Sequence, residues 1–316
     1  MANAAGADSA SAGFNSSAAG ISASAFGTVA NASGDYSLAL GNQSVSSGFG
    51  SVAAGSGAQG TALGTVAIGN NTLATVARAT ALGVSASAGG QSALAVGDTA
   101  NASANASTAI GNTAVASGVN ASSFGSGANA TGDNSLAAGV SANASGIAST
   151  ALGIGAKATA LSAVAVGNNA IANAVDSVAI GTNTTATGGK AVAIGAGNVA
   201  NGDGAVAIGD PSTATGDGAV AQGKDNTATG NGSVAMGNTN MRRRDGTRPR
   251  LRVEQRDGHH VGGCPRDGRH PAERRSPMRG FHARLLPGAA QVAGMSEFRG
   301  RVQRVISSNI SRAVLL

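Results

Sequence analysis

Three groups of residues in this 316-residue chain have types and spacings that could do chemistry. Gly55-Ser56-Gly57-Ala58-Gln59-Gly60 matches the glycine pattern that wraps a dinucleotide pyrophosphate. That use needs a strand before the loop, a helix after it and an acidic residue about 20 positions on. Glycine recurs too often here for a helix to follow. His259, His260, Cys264 and His270 form the one cluster with metal-ligand side chains. Their spacing does not join two close ligands to two more, as zinc sites do, so a solvated coil is expected. The many serines of the first 240 residues have no imidazole to activate them, because all four histidines lie beyond residue 258. The Asp residues fall singly in turns, where bonding to nearby backbone is the expected role. No catalytic residue, metal or cofactor is therefore expected, and the chain does not read as an enzyme.

Charge divides the chain in two. Up to residue 240 there are Arg78, Lys157, Lys190 and Lys224 against nine Asp, a net charge of −5. Residues 241–316 carry 17 Arg against six carboxylates, a net charge of +11. Arguments from the whole-chain excess of +6 would describe neither part. The lone Cys264 excludes an internal disulfide framework. A basic stretch followed by an apolar run is absent, as is a run of 18 apolar residues, so neither an export signal nor a membrane span is expected in the chain as written.

The element that must position everything else is a repeat. Glycine recurs every fourteen residues from Gly13 to Gly237, seventeen times without a slip. Gly41, Gly69, Gly97, Gly111, Gly153, Gly167, Gly181, Gly195, Gly209 and Gly237 are read as the turn glycines of this series. Ala stands two residues before nearly all of them, flanked in the clearest repeats by large aliphatics. Half a period later comes a weaker unit such as Ser212-Thr213-Ala214-Thr215-Gly216. Each period is thus two strand-turn units of seven residues, with the strands alternating large and small at period two.

Such a unit buries nothing alone, so successive units must stack, each coil pairing with the coils before and after it. The expected architecture is all-β, a parallel β-roll of fourteen-residue coils over residues 1–240. The narrow interior is expected to admit only Ala, Ser and Gly. At ~4.8 Å per coil the stack would be roughly 80 Å long. The large aliphatics then form an outer stripe: Val66, Ile68, Val164, Val166, Val178, Ile180, Val192, Ile194, Val206, Ile208, Val234 and Met236. Monomers rarely leave such a stripe in water, so these twelve are expected at an interface between chains. Burying an aliphatic yields roughly 1.5–3 kcal/mol, against an association cost on the order of 4–15 kcal/mol.

Asp176-Ser177-Val178-Ala179-Ile180-Gly181 and Gly204-Ala205-Val206-Ala207-Ile208-Gly209 resemble the head repeats of the YadA-like trimeric autotransporter adhesins, and the match covers residues 9–237. The resemblance implies a left-handed roll and a homotrimer joined through the Val/Ile faces. It also implies a head displayed on the outer membrane of a Gram-negative bacterium that adheres to host matrix proteins such as collagen or fibronectin, to host cells or to other heads. Virulence is the context in which that family acts. After Gly237 no neck, heptad stalk or membrane-anchoring strands follow, so the chain is expected to be truncated or frame-shifted after the head.

Two other roles are weighed against adhesion. A spacer or self-association rod would need the same roll and no host ligand. Residues 241–316, rich in Arg and Pro, could bind nucleic acid through clustered Arg. With Phe281 and Phe298 as their only aromatics, they are expected instead to be disordered or an out-of-frame reading of further repeats, with a short helix near 299–316. A calcium-binding roll is excluded because its Gly-Gly-x-Gly-x-Asp array is missing. An ice-binding ladder is set aside because Thr reads as scattered, as at Thr184-Thr185 and Thr213.

Overall fold

One coil shows why this sequence bends where it does. Val178–Ile180 is a strand, Gly181-Thr182-Asn183 turns, Thr185–Ala186 is a second strand, and Gly188-Gly189-Lys190 turns again. Asn183 and Lys190 take the left-handed conformation, with φ of 53° and 55°. Gly181 has φ +125°, and a Cβ there would run into the carbonyl oxygen of Gly195 in the next coil. The fourteen-residue glycine is therefore required twice over, by backbone conformation and by the closeness of the coil above it.

The computed structural model describes residues 1–243. Among them are thirty-three strands in about seventeen coils, and no helix. Every strand pairs in parallel with the strands one coil away. Val164, Val178 and Val192 stand in register on the longer-strand face, and Ile171, Thr185 and Val199 on the shorter-strand face. The turns stack by backbone bonds as well: the N–H of Asp176 donates to Leu161 O at 3.0 Å and that of Asn183 to Asn168 O at 2.9 Å. The parallel β-roll expected from the sequence is the fold observed.

Four positions per coil point inward: in this coil Ser177, Ala179, Thr184 and Ala186, all buried. Alanines from both faces meet in continuous clusters along the axis. The expectation that only Ala, Ser and Gly fit inside is corrected by Thr65, Thr72, Thr184, Asn198 and Asn226, which are also fully buried. Each of these sits where its polar group can reach a main-chain carbonyl, which offsets the cost of burying it. Thr184 Oγ1 donates to Gly195 O at 2.7 Å. Asn198 Nδ2 donates to Ile194 O at 2.7 Å and Gly209 O at 2.6 Å, while its Oδ1 accepts the N–H of Ser212 at 2.6 Å. Asn226 repeats the arrangement one period and a further coil on.

Two further features depart from a plain repeat. In the coil that follows Asn198, and in the one carrying Asn226, the strands run through the turn, as Val206–Thr215 and Val220–Thr229. The roll also continues past the last repeat glycine: Met241–Arg243 pairs with Thr227, Ala228 and Thr229, and Arg242 takes the slot corresponding to Ala228.

Candidate interaction surface

With the interior filled by small side chains, whatever this protein contacts must be met by its outer faces and turns. The longer-strand face presents two files. The first runs Val164, Val178, Val192, Val206, Val220 and Val234 in successive coils. The second runs Val166, Ile180, Ile194 and Ile208, is broken by Gln222 and resumes at Met236. Among the described residues nothing covers them: Ile180 is 38% exposed, Val234 49% and Met236 57%, and the other residues of these files are half-buried apart from the exposed Gln222. Towards the N-terminus Val66 and Ile68 occupy the same two files, Val66 half-buried and Ile68 exposed. The twelve residues of the expected stripe thus share one face and its two files.

The shorter-strand face pairs a mixed file, which holds Val45, Leu73, Val115, Ile171 and Val199 among polar residues, with a polar one. Its outermost file reads Ser33, Ser47, Thr61, Thr75, Gly89, Ser103, Ser117, Thr131, Ser145, Thr159, Asn173, Thr187 and Asn201 at fourteen-residue intervals. Thr187 Oγ1 donates to Asn201 Oδ1 at 2.9 Å across one coil. Hydroxyls that look scattered along the sequence are therefore aligned, and counting every fourteenth residue from Ser33 is the signal that finds them. Thr184 and Thr185 separate completely, one inside the roll and one outside.

The turns form the narrow edges. Asp35 Oδ1 accepts the N–H of Ile21 at 2.8 Å and Asp133 Oδ1 that of Val119 at 2.9 Å, each from a coil fourteen residues away. Bonding of these carboxylates is thus between coils, where the sequence suggested a local partner. Tyr36 and Phe49 make an edge-to-face pair with centroids 5.3 Å apart on one such edge.

The residues singled out for other chemistry do not assemble a site. In Gly55-Ser56-Gly57-Ala58-Gln59-Gly60 the first half is a turn, with φ +142° at Gly55 and +68° at Gly57, and the strand Gln59–Gly60 follows. No helix N-terminus is present there to hold a phosphate. Among the described residues no group of three His, Cys, Asp or Glu could hold a metal. His259, His260, Cys264, His270, the tail arginines after Arg243 and the helix expected near 299–316 lie outside the described residues.

The family model for the YadA head domain repeat matches ten stretches, residues 18–44, 32–58, 61–86, 88–114, 116–142, 144–170, 158–184, 172–198, 186–212 and 214–240. This chain belongs to the YadA head repeat family. Each match spans about two coils, so the YadA head repeat as a unit is the pair of stacked neighbours that bury each other's alanines. Gly41, Gly69, Gly97, Gly111, Gly153, Gly167, Gly181, Gly195 and Gly209 all carry φ between 123° and 140° at the same turn of these YadA head repeats, and Gly237 follows at 110°. A search of curated proteins finds no match. Among the described residues no helix is long and apolar enough to cross a membrane.

Proposed function

We propose that this chain is the head of a trimeric cell-surface adhesin. Three copies join through the longer-strand face, and the assembly adheres to host matrix or cell-surface ligands, or to other heads. The observation that carries this reading is the uncovered double file of aliphatics. Its members are about half-buried in one chain, so covering the rest yields on the order of 1 kcal/mol each. Summed over twelve residues this rivals an association cost of ~4–15 kcal/mol, and the remaining coils add to it. Family membership supports adhesion as the role. Many identical weak contacts along three chains suit a repeated ligand such as collagen, through avidity.

Light scattering on the full chain, with circular dichroism, tests the assembly: a β-rich species of three times the chain mass is expected, and a folded monomer would overturn it. Binding of that trimer to immobilised collagen or fibronectin, and clumping of cells that display it, tests adhesion. An intact trimer that does neither is a spacer rod.

A further inference from the structure

Eleven Asn-x-Ser/Thr triplets lie within residues 1–240. This triplet is the acceptor for sugar on an asparagine carboxamide, with the hydroxyl two residues on taking part in recognition. In a roll the triplets are not equivalent, and the fold sorts them: those beginning at Asn15, Asn120 and Asn183 straddle a turn, with the asparagine at a left-handed turn position on the edge and Ser17, Ser122 or Thr185 opening the next strand on a face. In those beginning at Asn42, Asn70, Asn105 and Asn231 the third residue is Ser44, Thr72, Ser107 or Ser233, all buried inside the coil. In those beginning at Asn31, Asn101, Asn129 and Asn143 the triplet starts on the short strand itself. The asparagine points outward, Ala32, Ala102, Ala130 or Ala144 fills the interior, and Ser33, Ser103, Thr131 or Ser145 stands exposed beside the asparagine on the same face.

We propose that Asn31, Asn101, Asn129 and Asn143 are modified with N-linked sugar on the folded roll. Both groups that a transferase must engage face it together at these four positions, and the main chain need not open. The surroundings suit the product: along the two outer files of this face from Asn3 to Thr229, Lys157 is the single charge. The carboxamides are not in use elsewhere. Asn143 Oδ1 is covered but has no hydrogen-bond partner, whereas interior Asn198 and Asn226 are fully bonded and are followed two residues on by Ala200 and Ala228, which have no hydroxyl.

The step needs a separate transferase and a sugar activated by a phosphate or diphosphate leaving group. Asn Nδ2 attacks the anomeric carbon, the C–N bond forms, the anomeric C–O bond to phosphate breaks, the phosphate-bearing group departs, and the amide proton passes to a base of the transferase. The inference does not depend on adhesion, since it concerns what the shorter-strand face carries.

The test is intact-mass and peptide mass spectrometry of the full chain purified from the cells that naturally make it. A mass above the bare polypeptide by one to four glycans is expected, mapped to these four asparagines. Asn129→Gln with Asn143→Gln should lose two of them, and Thr131→Ala with Ser145→Ala should lose the same two while keeping both asparagines. Asn31 and Asn101, unaltered in both variants, should keep their sugar, which shows that the roll still folds and that the loss is local. One hexose per site marks a nucleotide-linked donor and a uniform oligosaccharide a lipid-linked one, and either supports the proposal. The bare mass, sugar on Ser or Thr, or equal occupancy at Asn42, Asn70, Asn105 and Asn231 would overturn it.

Discussion

The hydroxyls of Ser46 and Ser51 meet at 2.6 Å inside the roll, on opposite strands of neighbouring half-coils. Ser51 also reaches Gly48 O at 2.7 Å, so Ser46 is the member with one partner. Around them Gly60 and Thr65 fill other inward positions, and the alanine cluster ending at Ala39 is separated there from the one beginning at Ala67.

Removing Ser51 alone strands a buried hydroxyl, so Ser51→Ala should cost about 1–3 kcal/mol. Ser46→Ala leaves Ser51 its carbonyl and should cost less. The double variant should recover most of the loss, because neither polar group is left behind. Urea midpoints followed by circular dichroism distinguish these; a double variant worse than Ser51→Ala would contradict the account.

Glycine plays two separable parts in the turns. Gly181→Ala forces a Cβ into the carbonyl of Gly195 at φ +125°, and a loss on the order of 3 kcal/mol is expected. Gly204, at φ +64° with nothing within 4 Å of an added Cβ, sits in the conformation that Asn120 and Asn134 hold at 57°. Gly204→Asn should leave stability within about 1 kcal/mol of the parent or above it. Thermal melts of the pair should differ in this order.

Val29 adopts φ 59°, the left-handed region that β-branched residues disfavour by roughly 1–2 kcal/mol. It is exposed, so little packing is at stake. Val29→Asn should stabilise the roll by about 1 kcal/mol in denaturant titration, and an equal or larger loss would mean that the valine is covered in the assembly.

Asn198→Ala removes three hydrogen bonds at one buried point and should cost on the order of 3 kcal/mol. The loss should be local: amide exchange at Ser212, whose N–H loses its acceptor, should accelerate more than at Val178, two coils towards the N-terminus. Uniform acceleration along the chain would instead mean that the stack opens as one unit.

On the longer-strand face, Ile180→Asp together with Ile194→Asp places two carboxylates per chain in the aliphatic file. The proposed trimer should dissociate while the β-sheet spectrum stays unchanged, because both side chains point out of the coil. Light scattering reads this directly, and retention of the full assembly mass would exclude that face as the interface.

Much of this molecule could be read from spacing alone. The glycine period gave the coil, and the alternation Val178-Ala179-Ile180 gave which side faces in. Most of what linear order hides has one cause: side chains fourteen residues apart are neighbours, so a residue's partner is rarely nearby in sequence. Asp35 bonds Ile21 for that reason, and the Ser33-to-Asn201 file stays hidden unless every fourteenth letter is compared. Asn198 was unreadable for a different reason. Its place in the period marks it as inward, but whether a carboxamide is tolerable there depends on carbonyls freed by a local change in the turn.

Because successive coils pair in one constant register, and each glycine of the fourteen-residue series from Gly13 to Gly223 meets the next of the series above it, any coil presents almost the same backbone seam to its neighbour. Excising one fourteen-residue unit would rejoin matching surfaces and shorten the stack by about 4.8 Å, whereas excising thirteen would turn every downstream side chain to the wrong side. Length in this architecture can therefore change in steps of whole coils, so that reach is adjustable without redesign of the interior.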